Sequence, residues 1–292
     1  MKFFRRRSAT PNLSPAVVEA QMELQRLAQE QPALAEHAQA LADVLPIVFR
    51  TDGPAPAWHL PADRLTAKWS GGVPVLRGES IPFATTLLAN RWQQLCESMS
   101  RLIGKEAALS LANALHDRQW SLPEMIDEVL AGHADALLAR AESRGLDPAL
   151  AATLLRWTLL PALIPIQSIL TATLPSGRWT HGYCPICGAW PLLGEFRGLE
   201  QARFLRCGLC AMSWEFPRLK CPFCGNDDHH RLGYLHEDGE EGKQRVAVCD
   251  ACRGYVKMVA TLTPLEPVRL LVMEVATLPL DLIAAERGYA AP

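Results

Sequence analysis

The sequence predicts an α+β protein: an N-terminal α-helical domain followed by two tandem metal-ribbon modules. Three observations predict this. Apolar residues recur at helical spacing as far as about residue 175, and beyond Pro175-Ser176-Gly177 short period-two segments replace them. Within that second part, eight of the nine cysteines stand in four Cys-x-x-Cys pairs: Cys184/Cys187, Cys207/Cys210, Cys221/Cys224 and Cys249/Cys252. A Cys-x-x-Cys turn holds two thiolates on one side of a tight loop, and two such turns complete a tetrahedral four-sulfur cage.

In the helical part, residues 1–175, Ser14-Pro15 supplies an N-cap and a proline at the first helical position. Val17, Ala20, Leu24 and Leu27 then repeat along one face. A second helix is expected after Pro32, carrying Leu34, Ala38, Leu41 and Leu45. Residues 51–80 hold several Pro and Gly and read as a long irregular loop or lid. Helical order returns with Leu88, Trp92, Leu95, Met99 and Leu102, and again with Ile126, Val129, His133 and Leu137. Asp147-Pro148 opens a further helix by the same cap-plus-proline signal. The apolar window Leu150 to Leu174 is interrupted by Arg156, Pro161, Pro165 and Gln167, which predicts a buried, broken core helix with no membrane insertion.

The cysteine pairs sit between short β segments. Phe204-Leu205-Arg206 leads into Cys207 and Met212 to Phe216 leaves after Cys210; Arg245 to Val248 leads into Cys249 and Tyr255 to Val259 follows Cys252. This is the layout of a rubredoxin-like or zinc-ribbon module, expected once over 176–218 and again over 219–292, the second with a C-terminal helix after Pro279. Four pairs can fill two cages in three ways. Neighbour pairing leaves nineteen residues between Cys187 and Cys207 and twenty-four between Cys224 and Cys249, room for strands to run out and back. The ten residues between Cys210 and Cys221 suit a linker. Cys184-Pro-Ile-Cys-Gly188 and Cys221-Pro-Phe-Cys-Gly225 share a proline inside the turn and a glycine after it, whereas Cys-Gly-Leu-Cys and Cys-Asp-Ala-Cys do not. Each cage thus joins one proline turn to one plainer turn. Cys184, Cys187, Cys207 and Cys210 are expected to hold one metal ion, and Cys221, Cys224, Cys249 and Cys252 another.

Composition narrows the function. A formal net charge of −2 argues against a nucleic-acid partner. Arg5-Arg6-Arg7 is followed by Ser-Ala-Thr-Pro-Asn, without the apolar stretch and cleavage site of a twin-arginine export signal, so a cytoplasmic location is expected. In a reducing compartment the cysteines are metal ligands rather than disulfides. Four thiolates accept Zn2+ or mononuclear iron, and spacing alone favours zinc. Neither cage keeps the open coordination position that a hydrolytic zinc centre needs, and no catalytic constellation is found, so no enzyme is expected.

Other residues take plainer roles. Cys96 reads as a buried, inert thiol, His229-His230 as a polar loop, and His181 and His236 likewise. Trp214 and Tyr255 are expected to pack around the cages. Arg197, Arg203, Arg206, Arg218 and Lys220 form a basic cluster that offsets the negative charge of four thiolates, docks a client or tunes the redox behaviour of the ion.

The cysteine segment resembles the formate dehydrogenase accessory protein family, FdhE. The matching stretches are Cys184-Pro-Ile-Cys-Gly188 with Pro191, Leu205-Arg206-Cys207-Gly-Leu-Cys210 with Trp214, and Cys221-Pro-Phe-Cys-Gly225. Cys249-Asp-Ala-Cys252 with Tyr255 and Lys257, and the ending Leu278-Pro-Leu-Asp281 with Gly288-Tyr289-Ala290, extend the match. The helical part is similar more weakly, through Leu24 to Pro32 and Ala38 to Asp43. The resemblance implies a cytoplasmic maturation factor that binds the catalytic subunit of formate dehydrogenase and carries two mononuclear Fe ions. A zinc-ribbon nucleic-acid binder and a rubredoxin-type electron-transfer component are the alternatives. The 51–80 loop, the cleft near Gly177 and the basic cluster are the candidate client surfaces.

Overall fold

A computed structural model describes residues 13–50, 58–115, 120–236 and 244–291. Arg5-Arg6-Arg7 and the first residues of the 51–80 stretch lie outside the described residues. The chain bears out the α+β class, a helical part followed by a sheet that carries two four-cysteine clusters.

Helix α1, Pro15–Glu30, begins where Ser14 accepts the Val17 amide at 3.4 Å and buries Val17, Ala20 and Leu24. A short turn at Pro32–Leu34 leads into α2, Ala35–Val48, whose buried face includes Ala38, Leu41 and Leu45. The expected loop over 51–80 is corrected by α3, Ala62–Ser70. Its Pro61 and Gly71 flanks read as loop chemistry, yet Leu65 is buried, Asp63 lies in the first turn and Lys68 in the last. Lys68 then ties down the rest of the stretch: its ammonium donates to the carbonyls of Val75 and Arg77 and pairs with Glu79 at 2.5 Å.

Helix α4, Thr85–Ile103, buries Leu88, Trp92, Leu95, Cys96 and Met99, and α5 spans Lys105–Ala114. The run from Ile126 to Leu137 is two helices, α6 (Leu122–Ala131) and α7 (Ala134–Glu142), not one. Gly132 takes a left-handed φ of 89° between them and caps α6, so apolar spacing continues across a chain that has turned.

Helix α8, Pro148–Thr173, starts on the Asp147 carboxylate, which accepts the Leu150 amide at 2.9 Å. Pro161 and Pro165 do not break it: α8 is continuous over 26 residues. Each proline removes one backbone bond, a cost that burial of Leu154, Leu155, Leu159, Leu160, Leu163 and Ile166 offsets. By length and composition α8 is apolar enough to cross a membrane, and half of its most apolar window is covered by protein.

Six strands follow: β1 (Pro191–Arg197), β2 (Ala202–Cys207), β3 (Ser213–Glu215), β4 (Leu232–Leu235), β5 (Gln244–Cys249) and β6 (Tyr255–Thr261). They form one sheet in the order β3-β2-β1-β6-β5-β4. β1–β3 and β4–β6 are two antiparallel ribbons, and the parallel β1/β6 seam, Gly194 opposite Met258 through Arg197 opposite Thr261, fuses them. The chain then returns to the helices. α9, Pro267–Ala276, packs on α1 and α2, and α10, Leu278–Glu286, packs beside β5. One core runs from α1 through α8 to the first ribbon, β6 of the second ribbon and α9, and Val246, Val248, Leu280 and Ala284 make a small separate core between β5 and α10.

Candidate metal centres

The fold brings the eight paired cysteines together as two groups. Cys184, Cys187, Cys207 and Cys210 form the first, and Cys221, Cys224, Cys249 and Cys252 the second, with all Sγ atoms in each group within 4.8 Å of one another. Neighbouring pairs therefore meet. In the first cage Cys184 and Cys210 sulfurs lie 3.5 Å apart and Cys187 and Cys207 sulfurs 3.4 Å. In the second, Cys221 to Cys252 and Cys224 to Cys249 are both 3.7 Å. A tetrahedral ion with sulfur ligands at about 2.3 Å separates its sulfurs by about 3.8 Å, so both groups fit one ion with modest opening of the first.

The turns are built to present sulfur. Gly188 and Gly225 close the two proline turns with left-handed φ of 83° and 74°. The Leu209 and Cys210 amides point at Cys207 Sγ at 3.4 and 3.5 Å, and the Gly254 amide at Cys252 Sγ at 3.4 Å. Such donors favour thiolate. In the first cage burial opposes ionisation of Cys187, Cys207 and Cys210. At Cys207 hydrogen bonds from Cys184, Cys187 and Cys210 and the Cys210 amide overcome it and take the thiol well below its usual range. Burial and the neighbouring sulfurs push Cys187 and Cys210 well above theirs. A bound cation favours the ionised form of a four-sulfur set.

The two cages differ in their cover. All four sulfurs of the first belong to buried residues, whereas Cys224 and Cys252 of the second are exposed. Helical-part residues strap the first proline turn: the Val75 and Leu76 amides donate to the Pro185 and Ile186 carbonyls, each at 2.9 Å. The plainer turn of that cage keeps Leu209 buried, with Arg156 packed against Gly208 and held by Glu274 at 2.7 and 2.8 Å. A cavity of about 480 Å³ lies behind this turn, its wall including Gly208, Leu209, Arg156 and Lys257 but no cysteine. The second cage has Asp250 and Ala251 in the equivalent turn, both exposed. A cavity of about 50 Å³ reaches Cys221 and Cys249 from the sheet side.

The chain entering the first cage also touches the proline turn of the second. A Cβ on Gly182, two residues before Cys184, would lie 1.9 Å from the Pro222 carbonyl oxygen, so no side chain fits there. Chain geometry then keeps the Cys184 and Cys221 α-carbons within about 15 Å. Trp190 and Phe223 stack edge-on across the same junction, with centroids 5.5 Å apart.

The basic cluster is largely spoken for. Glu195, fully buried, accepts from Arg197 at 2.7 Å, from Arg206, from Thr261 Oγ1 at 3.2 Å and from the Leu265 amide. Burial raises its carboxyl pKa, but the two arginines outweigh it and leave the group below the ordinary range. Arg203, also buried, donates to the carbonyls of Pro217, Arg218 and Lys220, fixing the linker that enters Cys221. Arg203 and Arg206 are therefore internal and offer no docking surface. Glu195 had no signal in the sequence beyond its place in an apolar stretch.

The remaining candidates divide. Cys96 is fully buried, and burial pushes its thiol pKa up to about 12, an inert group. Trp214 is buried in β3 and donates to the His181 carbonyl at 3.3 Å. Tyr255 donates to Asp281 at 2.7 Å, beside the Lys257–Asp281 pair. His181 stacks on Tyr183, and exposed His229 and His230 group with Asp228 apart from the two sets of cysteines, on the segment whose Arg231 carbonyl accepts the Asp250 amide at 2.8 Å.

Residues 183–218 match the FdhE central domain. The FdhE homolog of Stutzerimonas stutzeri (strain A1501) is 36% identical over 152 residues, 45% of this chain and 47% of that protein. That of Aquifex aeolicus (strain VF5) is 31% identical over 147 residues, 47% of this chain and 49% of that protein. The matched stretches thus span about half the length of these relatives. The crystal structure of the FdhE protein from Pseudomonas aeruginosa superimposes with a TM-score of 0.63 at 23% identity, covering 94% of this chain and 92% of that one. The resemblance carried by the cysteine segment is borne out, and the likeness in fold covers nearly the whole chain.

Proposed function

We propose that this chain, with its FdhE central domain and FdhE fold, is a non-enzymatic, cytoplasmic maturation factor for formate dehydrogenase that binds the catalytic subunit and holds one iron ion in each cage. The observation that carries this reading is the pair of four-sulfur cages inside an FdhE-type fold. Cys184, Cys187, Cys207 and Cys210 would hold one ion and Cys221, Cys224, Cys249 and Cys252 the other. With every ligand position a thiolate, each ion staples its ribbon and, as iron, supplies one-electron chemistry.

The residues around the cages support a holding role. Amide donors at Cys207 and Cys252 stabilise thiolate, Arg206 and Arg203 place buried positive charge near Cys207 and Cys221, and Gly182 keeps the two turns in register. Deleting the gene from a host that respires formate should abolish that activity while the dehydrogenase is still made, and the tagged protein should retain the catalytic subunit. Unchanged activity on deletion would sink the maturation reading. Anaerobically purified protein should show thiolate-to-iron absorption; a colourless protein with two zinc ions would replace iron by zinc and leave the partner test standing.

A further inference from the structure

We infer that the second cage is an exchange centre whose door is Cys224 and Cys252: an external thiolate can reach the ion there and displace one of these sulfurs, while the first cage retains its ion. The inference rests on the reading that both groups of cysteines hold metal.

Four-thiolate sites exchange by attack of an incoming ligand, so the path to the ion controls the rate more than the ligand set, which is identical here. The first cage offers no path. All of its sulfurs are fully buried, the Val75–Leu76 strap lies over one turn, and Leu209 and Arg156 back the other. The second cage is open on one side. Cys221 and Cys249 are 3% and 2% exposed, but Cys224 and Cys252 are exposed outright, one from each turn, and Asp250 and Ala251 beside them face solvent. The buried pair is also the anchored pair. Pro222, next to Cys221, is pressed against Gly182, and the Cys249 amide bonds the Gly254 carbonyl at 3.1 Å. Cys224 and Cys252 can therefore swing out while Cys221 and Cys249 keep hold of the ion.

The step is a ligand substitution with no change of oxidation state. A bond forms between the ion and the incoming thiolate sulfur, the bond to Cys224 or Cys252 breaks, and the released thiolate takes a proton from water. A second substitution displaces the other exposed sulfur, and two more, at Cys221 and Cys249, free the ion to an acceptor or, in reverse, load it.

The test uses the full chain loaded with two Zn2+ ions under anaerobic conditions. Reduced glutathione is added with the chromogenic chelator 4-(2-pyridylazo)resorcinol, and samples are quenched with N-ethylmaleimide for peptide mass spectrometry. Two phases of zinc release are expected, the faster by at least about tenfold because buried thiols react slowly. Cys221, Cys224, Cys249 and Cys252 should be alkylated during the fast phase and Cys184, Cys187, Cys207 and Cys210 only later. The fast rate should climb with glutathione concentration. Release in one phase, earlier labelling of the first cage, or a fast rate indifferent to glutathione would overturn the inference. A chain that takes up no zinc would instead overturn the metal reading beneath it.

Discussion

The two cages share a ligand set, a proline turn and a three-stranded ribbon, yet they sit in different solvents. The first is continuous with the main core, strapped by Val75 and Leu76 and closed by Leu209. The second lies outside the main core, which its ribbon joins only through β6, and leaves Cys224 and Cys252 in water. Four sulfurs fix what can bind, and the cover fixes how it behaves. A buried cage is part of the fold's foundation, and an exposed one can change occupancy while the rest of the molecule stands.

The sharpest way to break this comparison is to remove one ligand from each cage. Cys207→Ser should empty the first cage, and because structural four-thiolate sites contribute on the order of 10 kcal/mol, the sheet and the core it shares with α8 should not survive. Cys252→Ser should empty the second cage, lose the local structure of β4–β6 and leave the helical part folded. Metal counting with thermal unfolding by circular dichroism reads both. Equal collapse of the two variants would mean that the cages do not differ in structural weight.

The next effect belongs to Glu195, which joins β1, β2, β6 and the approach to α9. Glu195→Ala leaves Arg206 and Arg197 without their carboxylate and should cost about 3–5 kcal/mol in urea unfolding. The pH dependence has a definite sign. The folded carboxyl lies below its ordinary range, so its stabilisation is complete above the unfolded value and is lost as pH falls through the folded one. The stability difference between the native chain and Glu195→Gln should therefore be constant near neutrality and shrink below about pH 4.5. Taking the difference cancels the acid release of metal that both share.

A smaller change tests the strap. Leu76 is fully buried over the first proline turn, and Leu76→Ala should cost about 3 kcal/mol through the cavity it leaves. If cover governs retention, this variant should also release the first-cage ion faster and leave the second-cage rate alone. A stability loss with no change in release would assign retention to the amide donors of the turn instead.

How much of this was legible follows from the physics of each signal. Cysteine spacing is local chemistry, so the neighbour pairing could be read directly, as could the Ser14-Pro15 and Asp147-Pro148 caps. The plainer turns even carried the difference in cover, Gly-Leu in one and Asp-Ala in the other. What was hidden depends on distant partners. Pro161 and Pro165 predict a break until packing along α8 outweighs them, and α3 is obscured by the Pro and Gly around its nine residues. Glu195 gains its meaning only when β1 is set between β2 and β6, a seam no local pattern announces. The strap is 110 residues from the turn it covers, since Val75 bonds to Pro185.

The smallest effect sits over the open cage. Tyr289 donates to Asp250 at 2.6 Å, Arg253 pairs with the same carboxylate at 3.0 Å, and the Arg253 guanidinium lies 3.9 Å from the Tyr289 ring centre. This clamp joins the C-terminal segment to the second plain turn, but its ion pair is about half exposed and screened by water. Tyr289→Phe removes the hydrogen bond and keeps the ring, so global stability should fall by less than about 1 kcal/mol. Release from the second cage should nevertheless quicken, because the clamp bears on the turn that carries Cys249 and Cys252, and first-cage release should not move. A Tyr289→Phe protein with unaltered release from both cages would show that the turn is held by its own backbone, the Arg253 amide on the Cys249 carbonyl at 2.8 Å, and that the C-terminal segment is only a neighbour.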